Sequence, residues 1–288
     1  MVMTNGSISS PSTGQREYWN SLARPWATHH ERADRAFGGL GMAAMEVAAL
    51  QHSESVLDIG CGSGTTVLQL AARVGSSGYV LGADISGQCV ARARERFAAA
   101  GLANAEVIET DVATHPFATA RFDLAFSRLG VMFFNDPTAA LTNVYRAIKP
   151  KGRVVLAVFR PARENPWPSA PLEAVRHLLT PIDPPAPEDP GMFSWGDPHR
   201  VRRILEGAGF REISLTPVDL HCQLAGDGGV VEAAEFALLF GPLARRVSEL
   251  SQTQRDVVRA KLEDFFQGYA TPQGVALRSA FWIVQARV

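Results

Sequence analysis

The sequence predicts an α/β fold: a mainly parallel sheet with helices on both faces. Three observations lead there. Between Ser55 and Phe159, short apolar runs alternate with segments of helical period, which is the pattern of βαβ units. The first run, VLDIGCGSG from Val56 to Gly64, ends in a carboxylate followed by glycines at every second position, as expected where a strand turns tightly into a helix. The chain has 288 residues, 46% of them hydrophobic and 20% charged, enough for one sizeable core.

The elements follow in order. Residues 1–15 are polar and turn-rich and read as a disordered tail, with no apolar stretch of signal-peptide length. Residues 16–50 read as a helical segment covering the site, with Phe37, Leu40, Met45 and Ala48 near helical spacing. Residues 51–160 form the core. SVLDIG is its first strand. TTVLQLAARVG is a helix with Val67, Leu70, Ala71 and Val74 on one face and Gly75 as its stop. YVLGADIS is a second strand, GQCVARARERFAAAG a second helix, AEVIETD a third strand and FDLAFS a fourth. The helix PTAALTNVYRAIKP ends at Pro150, and GRVVLAVF is the fifth strand. Residues 161–198 hold more than half of the 18 prolines and read as an insertion around one short helix, Leu172 to Leu179. The core resumes at 199–221 with a helix and a strand. Residues 222–270 read as a helical lid, and 271–288 end in a last strand, AFWIVQARV.

Composition narrows the function. A net charge of -1 argues against a partner gripped through its phosphate backbone, so nucleic acid is not expected. The three cysteines, Cys61, Cys89 and Cys222, contain no CxxC pair. They suit a reducing compartment and offer neither a disulfide framework nor a metal site. No apolar run approaches the ~20 residues that cross a membrane. The expectation is a cytoplasmic protein with a small-molecule partner and no stable membrane association. Its oligomeric state is open, a homodimer being one option.

The glycine loop lies where open α/β sheets bind ligands, at the carboxyl ends of the strands. Alone it does not separate a dinucleotide from other ligands. Thr65 stands where a pyrophosphate fingerprint has its third glycine, and Asp58 stands just before the loop. A carboxylate there repels a pyrophosphate and attracts a ligand carrying an ammonium and a sulfonium, which S-adenosylmethionine does. Asp84 ends the second strand, with Ile85 beside it, and can accept hydrogen bonds from ribose hydroxyls, a role NAD enzymes share. Asp111 ends the third strand and can accept an adenine amino group while the N–H of Val112 faces a ring nitrogen. Ser127 and Arg128 follow the fourth strand, either beside the reacting groups or as loop packing.

VLDIGCGSG, GADIS, ETDV, FDLAFSRLGVMFF and RAIKPKGRVVLAVF, in that order, resemble the motifs of the class I S-adenosylmethionine-dependent methyltransferases. The match runs from Val56 to Phe159 and is similar to the branch of quinone-biosynthesis and other small-molecule methyltransferases. The resemblance implies a Rossmann-like, doubly wound, seven-stranded and mostly parallel sheet whose last strand is antiparallel, with helical lid insertions. It implies a cofactor site built from Asp58, Gly60, Cys61, Gly62, Gly64, Asp84, Ile85, Asp111, Val112, Ser127 and Arg128, with Tyr18 or Trp19 closing over it. Lys151-Gly152, where the family often has two glycines, is a mild departure.

The expected activity is methyl transfer to an O, C or N atom. Rival readings are a non-catalytic S-adenosylmethionine binder and an NAD-dependent oxidoreductase. Cys61 reads as a small loop residue rather than a nucleophile. His29, His30 and His221 are candidates for a general base, against the plainer reading of satisfied pocket or surface residues. After the fourth strand there is no Asn/Asp-Pro-Pro-aromatic run of the kind used on nucleic-acid bases; Asn135-Asp136-Pro137 lacks the second proline. Trp167, Met192, Phe193, Trp195, Phe236 and Phe240 in the insertions suit an apolar or aromatic acceptor. The run FALLFGPLARRV reads as a lid rather than a membrane-surface helix.

Overall fold

The computed structural model describes residues 19–20, 23–183, 185–186 and 188–288; Tyr18 and the tail expected over 1–15 lie outside them. Among the described residues, eight strands form one sheet: β1 (Ser55–Ile59), β2 (Tyr79–Asp84), β3 (Ala105–Glu109), β4 (Phe122–Arg128), β5 (Ile148–Phe159), β6 (Arg211–Ala225), β7 (Ala270–Thr271) and β8 (Gly274–Arg287). The main path has seven of them in the order β3-β2-β1-β4-β5-β8-β6, and the two-residue β7 is an extra rung on β8. β1 to β5 pair in parallel. β8 is antiparallel to both β5 and β6. The fold is thus the expected mixed α/β sheet with one reversed strand, plus a short hairpin arm.

The chain steps from β1 outward to β2 and β3, then returns to the other side of β1 for β4 and β5. Right-handed crossovers on a reversing path put helices on both faces. They also leave a crevice at the switch point between β1 and β4. Both faces of the central strands are covered, so β1 and β4 are apolar almost throughout and buried from Val56 to Ile59 and from Leu124 to Ser127.

The helices bounded within the described residues are α1 (His30–Ala48), α2 (Thr65–Val74), α3 (Gly87–Ala99), α4 (Pro137–Ala147), α5 (Pro166–Val175), α6 (Pro198–Gly207), α7 (Gly229–Leu239), α8 (Pro242–Ser248) and α9 (Gln252–Gln267), and residues 23–28 are helical too. Local chemistry sets their starts. Asp136 and Asp197 cap α4 and α6, each ahead of a proline. Ser251 and Gln254 form a capping box on α9. α1 buries Ala33, Phe37, Leu40, Ala44, Met45 and Ala48 at three- and four-residue spacing and packs on β4, β5, β6 and β8. Arg153 anchors its far end. The guanidinium donates to Glu54 at 2.8 and 2.9 Å and to the carbonyl of Ala48 at 2.7 Å.

The insertions are tied to the sheet by buried polar groups. The Asn165 side chain donates to the carbonyls of Arg160 and Pro161 and accepts from the N–H of Ala280 at 2.8 Å. Ser279 donates to the carbonyl of Trp167 at 3.0 Å. α5 is preceded by a kink: its span begins at Pro166, six residues before the helix read from sequence, but Trp167 has extended backbone with φ of -87° and ψ of 127°. β6 continues to Ala225, past His221. Along α7 and α8, Phe236, Phe240, Leu243 and Val247 are buried, so the apolar face of this segment turns inward. No described helix is long and apolar enough to cross a membrane.

Candidate active site

A cavity of about 500 Å³ opens at the carboxyl ends of β1, β2, β3 and β4. Each strand end contributes to its wall: Gly60 and Gly62 after β1, Asp84 and Ile85 at β2, Asp111 and Val112 after β3, and Arg128 at β4. α1 contributes His30, Ala33, Asp34 and Phe37, one face at helical spacing. Trp19 and Trp26 close it from the N-terminal side, and Phe159, Trp167, Met192 and Phe240 from the sheet end and the insertions.

The two ends differ in chemistry. At the strand-end side, Asp84 accepts from the N–H of Gly62 at 2.8 Å and of Ser86 at 2.9 Å. Burial pushes its carboxyl above the usual range, while these N–H groups pull it back. Asp111 accepts from the N–H of Ala113 at 2.9 Å. At the other end the rings touch one another: Trp26 lies 4.8 Å from Phe240, and Phe37 lies 6.3 Å from Phe159.

The glycine loop owes its shape to left-handed backbone. Gly60, Gly62 and Gly64 have φ of 66°, 53° and 82°, which other residues adopt at a cost. A Cβ on Gly60 would stand 2.8 Å from Gly130, and one on Gly64 would stand 2.6 Å from the Phe97 ring. At Gly62 a Cβ would meet nothing within 4 Å, since this residue faces the cavity.

Asp58, Cys61, Gly64 and Ser127 do not line the cavity; they stand behind its wall. Asp58 is fully buried. Its Oδ2 accepts from the Thr66 hydroxyl, and its Oδ1 has no partner among the described residues. Burial raises its carboxyl to about 7, against the lowering effects of the Thr66 hydrogen bond and Arg128. The Cys61 sulfur fills the space above Gly82, and burial pushes its thiol well up, which suits a filler and not a nucleophile. Ser127 pins β4 to β1 by donating to the carbonyl of Ile59 at 2.8 Å and accepting from Gly130.

The histidines separate. His30 is buried in the wall. His29, in the bend before α1 with φ of -114° and ψ of 30°, is half-buried and off the wall. His221 is exposed and also off the wall; the next residue, Cys222, takes the inward position of the alternating strand. Of the aromatic and Met candidates, Trp167, Met192 and Phe240 reach the cavity, whereas Phe193, Trp195 and Phe236 pack behind it.

Sequence reasoning missed a polar hub. Asp34 accepts from Thr65 at 2.5 Å and from Arg128 at 3.2 Å, with Arg96 at 3.7 Å. Arg96 in turn donates to Thr65 and to the carbonyl of Ser63 at 2.7 Å. The Ser63 hydroxyl donates to the carbonyl of Trp26 at 3.0 Å. These bonds hold α1 and the preceding turn over the glycine loop. The available signal was an aspartate on the otherwise apolar face of α1.

The donor set fits an adenosyl sulfonium. Two carboxylates line successive strand ends, a third lies buried behind the loop with an unpartnered oxygen, and a glycine edge is open to close approach. A pyrophosphate would meet the same carboxylates as repulsion. A methyltransferase domain model matches residues 56–152.

The domain match, the relatives and the fold together support a class I S-adenosylmethionine-dependent methyltransferase.

It is therefore an enzyme, and S-adenosylmethionine is its cofactor. The methyltransferase is 29% identical to aklanonic acid methyltransferase DauC of Streptomyces sp. (strain C5), over 70% of this chain and 95% of that one. It is 30% identical to 2-phytyl-1,4-naphtoquinone methyltransferase of Nostoc punctiforme, over 51% of this chain and 56% of that one. Its fold matches that of a putative methyltransferase from Bacillus halodurans with a TM-score of 0.54 at 17% identity, covering 86% of this chain and 97% of the other. Among the described residues of this methyltransferase, no group of three or more His, Cys, Asp or Glu could hold a metal ion.

Proposed function

We propose that this methyltransferase acts on a small, largely apolar or aromatic metabolite, at an O, C or N atom. The observation that carries the reading is the division of one cavity into a carboxylate-and-glycine end and an aromatic end formed by Trp26, Phe37, Phe159, Trp167, Met192 and Phe240. The names of the two relatives, one for aklanonic acid and one for a naphthoquinone, support an acceptor of that class. Small-molecule acceptors favour a protein that works without nucleic acid, in the cytoplasm.

The strand ends divide the cofactor's recognition. Asp84 and Ile85 would hold the ribose, Asp111 and the N–H of Val112 the adenine, and Gly60 and Gly62 the backbone side of the methionine. Trp19, 4.7 Å edge-to-face from Phe133, would shield the adenosyl portion. Asp58 would act through the loop by its charge, and Cys61, Gly64 and Ser127 by shaping the wall. When bound, the cofactor supplies an activated methyl on a sulfonium. The protein's own contribution is then positioning and exclusion of water. The Asp34 hub holds α1 over the loop, and the lid seals the aromatic end. Residues 161–198 and 222–270 serve as the acceptor-facing insertions of a core spanning 51–160.

The test is turnover across a panel of phenols, quinones and polyketides with S-adenosylmethionine, read by mass spectrometry for products one methylene heavier. Methylation of one or more of them is expected. Activity confined to highly charged acceptors would overturn the acceptor class. Cofactor binding without turnover of anything, in the panel or in a cell extract with labelled cofactor, would favour the non-catalytic reading.

A further inference from the structure

The α1 side of the cavity carries one polar side chain whose geometry suits proton transfer. His30 sits on the cavity face of α1, one turn after Trp26 and one turn before Asp34. Its Nδ1 lies 3.3 Å from the carbonyl of Ala27. A carbonyl only accepts, so this contact places the ring proton on Nδ1 and leaves the Nε2 lone pair open. Nε2 makes no hydrogen bond to any described residue. The ring is buried in the wall rather than on the surface.

Resting on the small-molecule reading above, we propose that His30 is the general base of this enzyme and that the acceptor is a planar aromatic compound bearing an ionisable hydroxyl, methylated on that oxygen. In the step, the acceptor O–H bond breaks and its proton goes to the Nε2 lone pair of His30. The oxygen's electron pair forms the new O–C bond to the methyl carbon. The S–C bond breaks with its pair remaining on sulfur. The proton on His30 is released to solvent after the methylated product leaves.

The surroundings keep the base available. Burial lowers the imidazole's affinity for a proton, and Arg96 and Arg92, facing it from α3, lower it further; the Ala27 carbonyl and Asp34, on α1, raise it in part. The net shift is downward from the ordinary 6.5, so at neutral pH the ring is neutral and able to accept. A primary or secondary amine gives up its proton only after methylation and needs no such base, whereas a neutral hydroxyl is a poor nucleophile until its proton is taken. The base therefore points away from nitrogen and toward an acceptor whose hydroxyl must ionise.

The experiment uses the full chain with His30→Gln and His30→Phe, and a visible dye, alizarin, a dihydroxyanthraquinone whose colour reports ionisation. With S-adenosylhomocysteine present, alizarin bound to the unaltered enzyme is expected to show its anion's spectrum below the pH at which free alizarin ionises. Bound to either variant it should remain neutral there. For any phenolic acceptor found in the panel, kcat should fall roughly a hundredfold in both variants. The acid limb of kcat/KM against pH, set by a histidine below 6.5, should disappear. Calorimetric affinity for S-adenosylmethionine should stay within about threefold, showing that the cofactor site survives. If the variants do not fold, the histidine ring nitrogens of the unaltered enzyme, followed by NMR, decide the matter: protonation of one buried ring on alizarin binding supports the proposal. Failure of alizarin to bind, a bound dye that stays neutral, or variants with unchanged pH profiles would overturn it. Those results would leave the methyltransferase reading standing, which would fall only if cofactor binding itself were absent.

Discussion

The backbone N–H of Gly62 donates to Asp84 Oδ2 at 2.8 Å, so the carboxylate that ends β2 also holds the middle of the loop that follows β1. One side chain thus shapes the glycine edge and presents its remaining lone pairs to the cavity. Asp84→Ala removes both roles, and losing a hydrogen bond to a charged group costs about 1.5–3 kcal/mol. Affinity for S-adenosylmethionine, measured by calorimetry, is expected to fall roughly tenfold to a hundredfold or more. Unaltered affinity would show that the loop and ribose do not depend on this residue.

Asp58 makes stability and ligand binding depend on pH. Burial raises its folded-state value from 3.8 to about 7, so between these limits the native state binds more protons than the unfolded chain. Stability is then full below about pH 4, declines as pH rises, and levels off above about 7. Across that window the unaltered protein should lose stability relative to Asp58→Asn by up to about 4 kcal/mol, measured by denaturation at a series of pH values. A cationic ligand favours the carboxylate, so cofactor affinity should rise with pH through 7 in the unaltered protein and stay flat in the variant. Parallel curves for the two proteins would refute the coupling.

Two glycines of one loop should respond differently to the same change. Gly64→Ala forces a left-handed alanine at φ 82° and sets its Cβ 2.6 Å from the Phe97 ring and 3.0 Å from Ala93. Strain of about 1–2 kcal/mol adds to overpacking of about 1–3 kcal/mol. Thermal unfolding should show the sum. Gly62→Ala carries the strain alone, because nothing of the protein lies within 4 Å of its Cβ. It is expected to be mildly destabilised and to lose cofactor affinity, since the methyl group would occupy ligand space. Equal destabilisation of the two variants would contradict this account.

Phe240 bridges the segment between α7 and α8 and the helical stretch before α1, its ring 4.8 Å from Trp26. It is 1% exposed and lines the aromatic end. Phe240→Leu should cost about 1–2 kcal/mol of stability and raise KM for an aromatic acceptor several-fold. Cofactor affinity should be unchanged, because no strand-end residue is touched. A variant that lost cofactor affinity instead would mean that the two ends of the cavity are not separate.

The order of strands and helices from Ser55 to Phe159 was legible because each element carries its own period, and a fully covered parallel strand reads as an unbroken apolar run. Asp84, Asp111 and the glycine loop were legible for a related reason: they sit at strand ends, and strand ends meet at one edge of the sheet whatever else the chain does. Asp34, Arg96 and Trp26 were not, because their roles arise only when α1 lies across the loop, and no local period reports that contact. The same limit applied to the histidines. His29 and His30 are neighbours in sequence, and only the bend at His29, just before α1, put one ring in the cavity wall and left the other off it. Asp58 was visible as a carboxylate before a glycine loop, but its burial and unpartnered oxygen belong to the packed state, where removal from water changes what a charge costs.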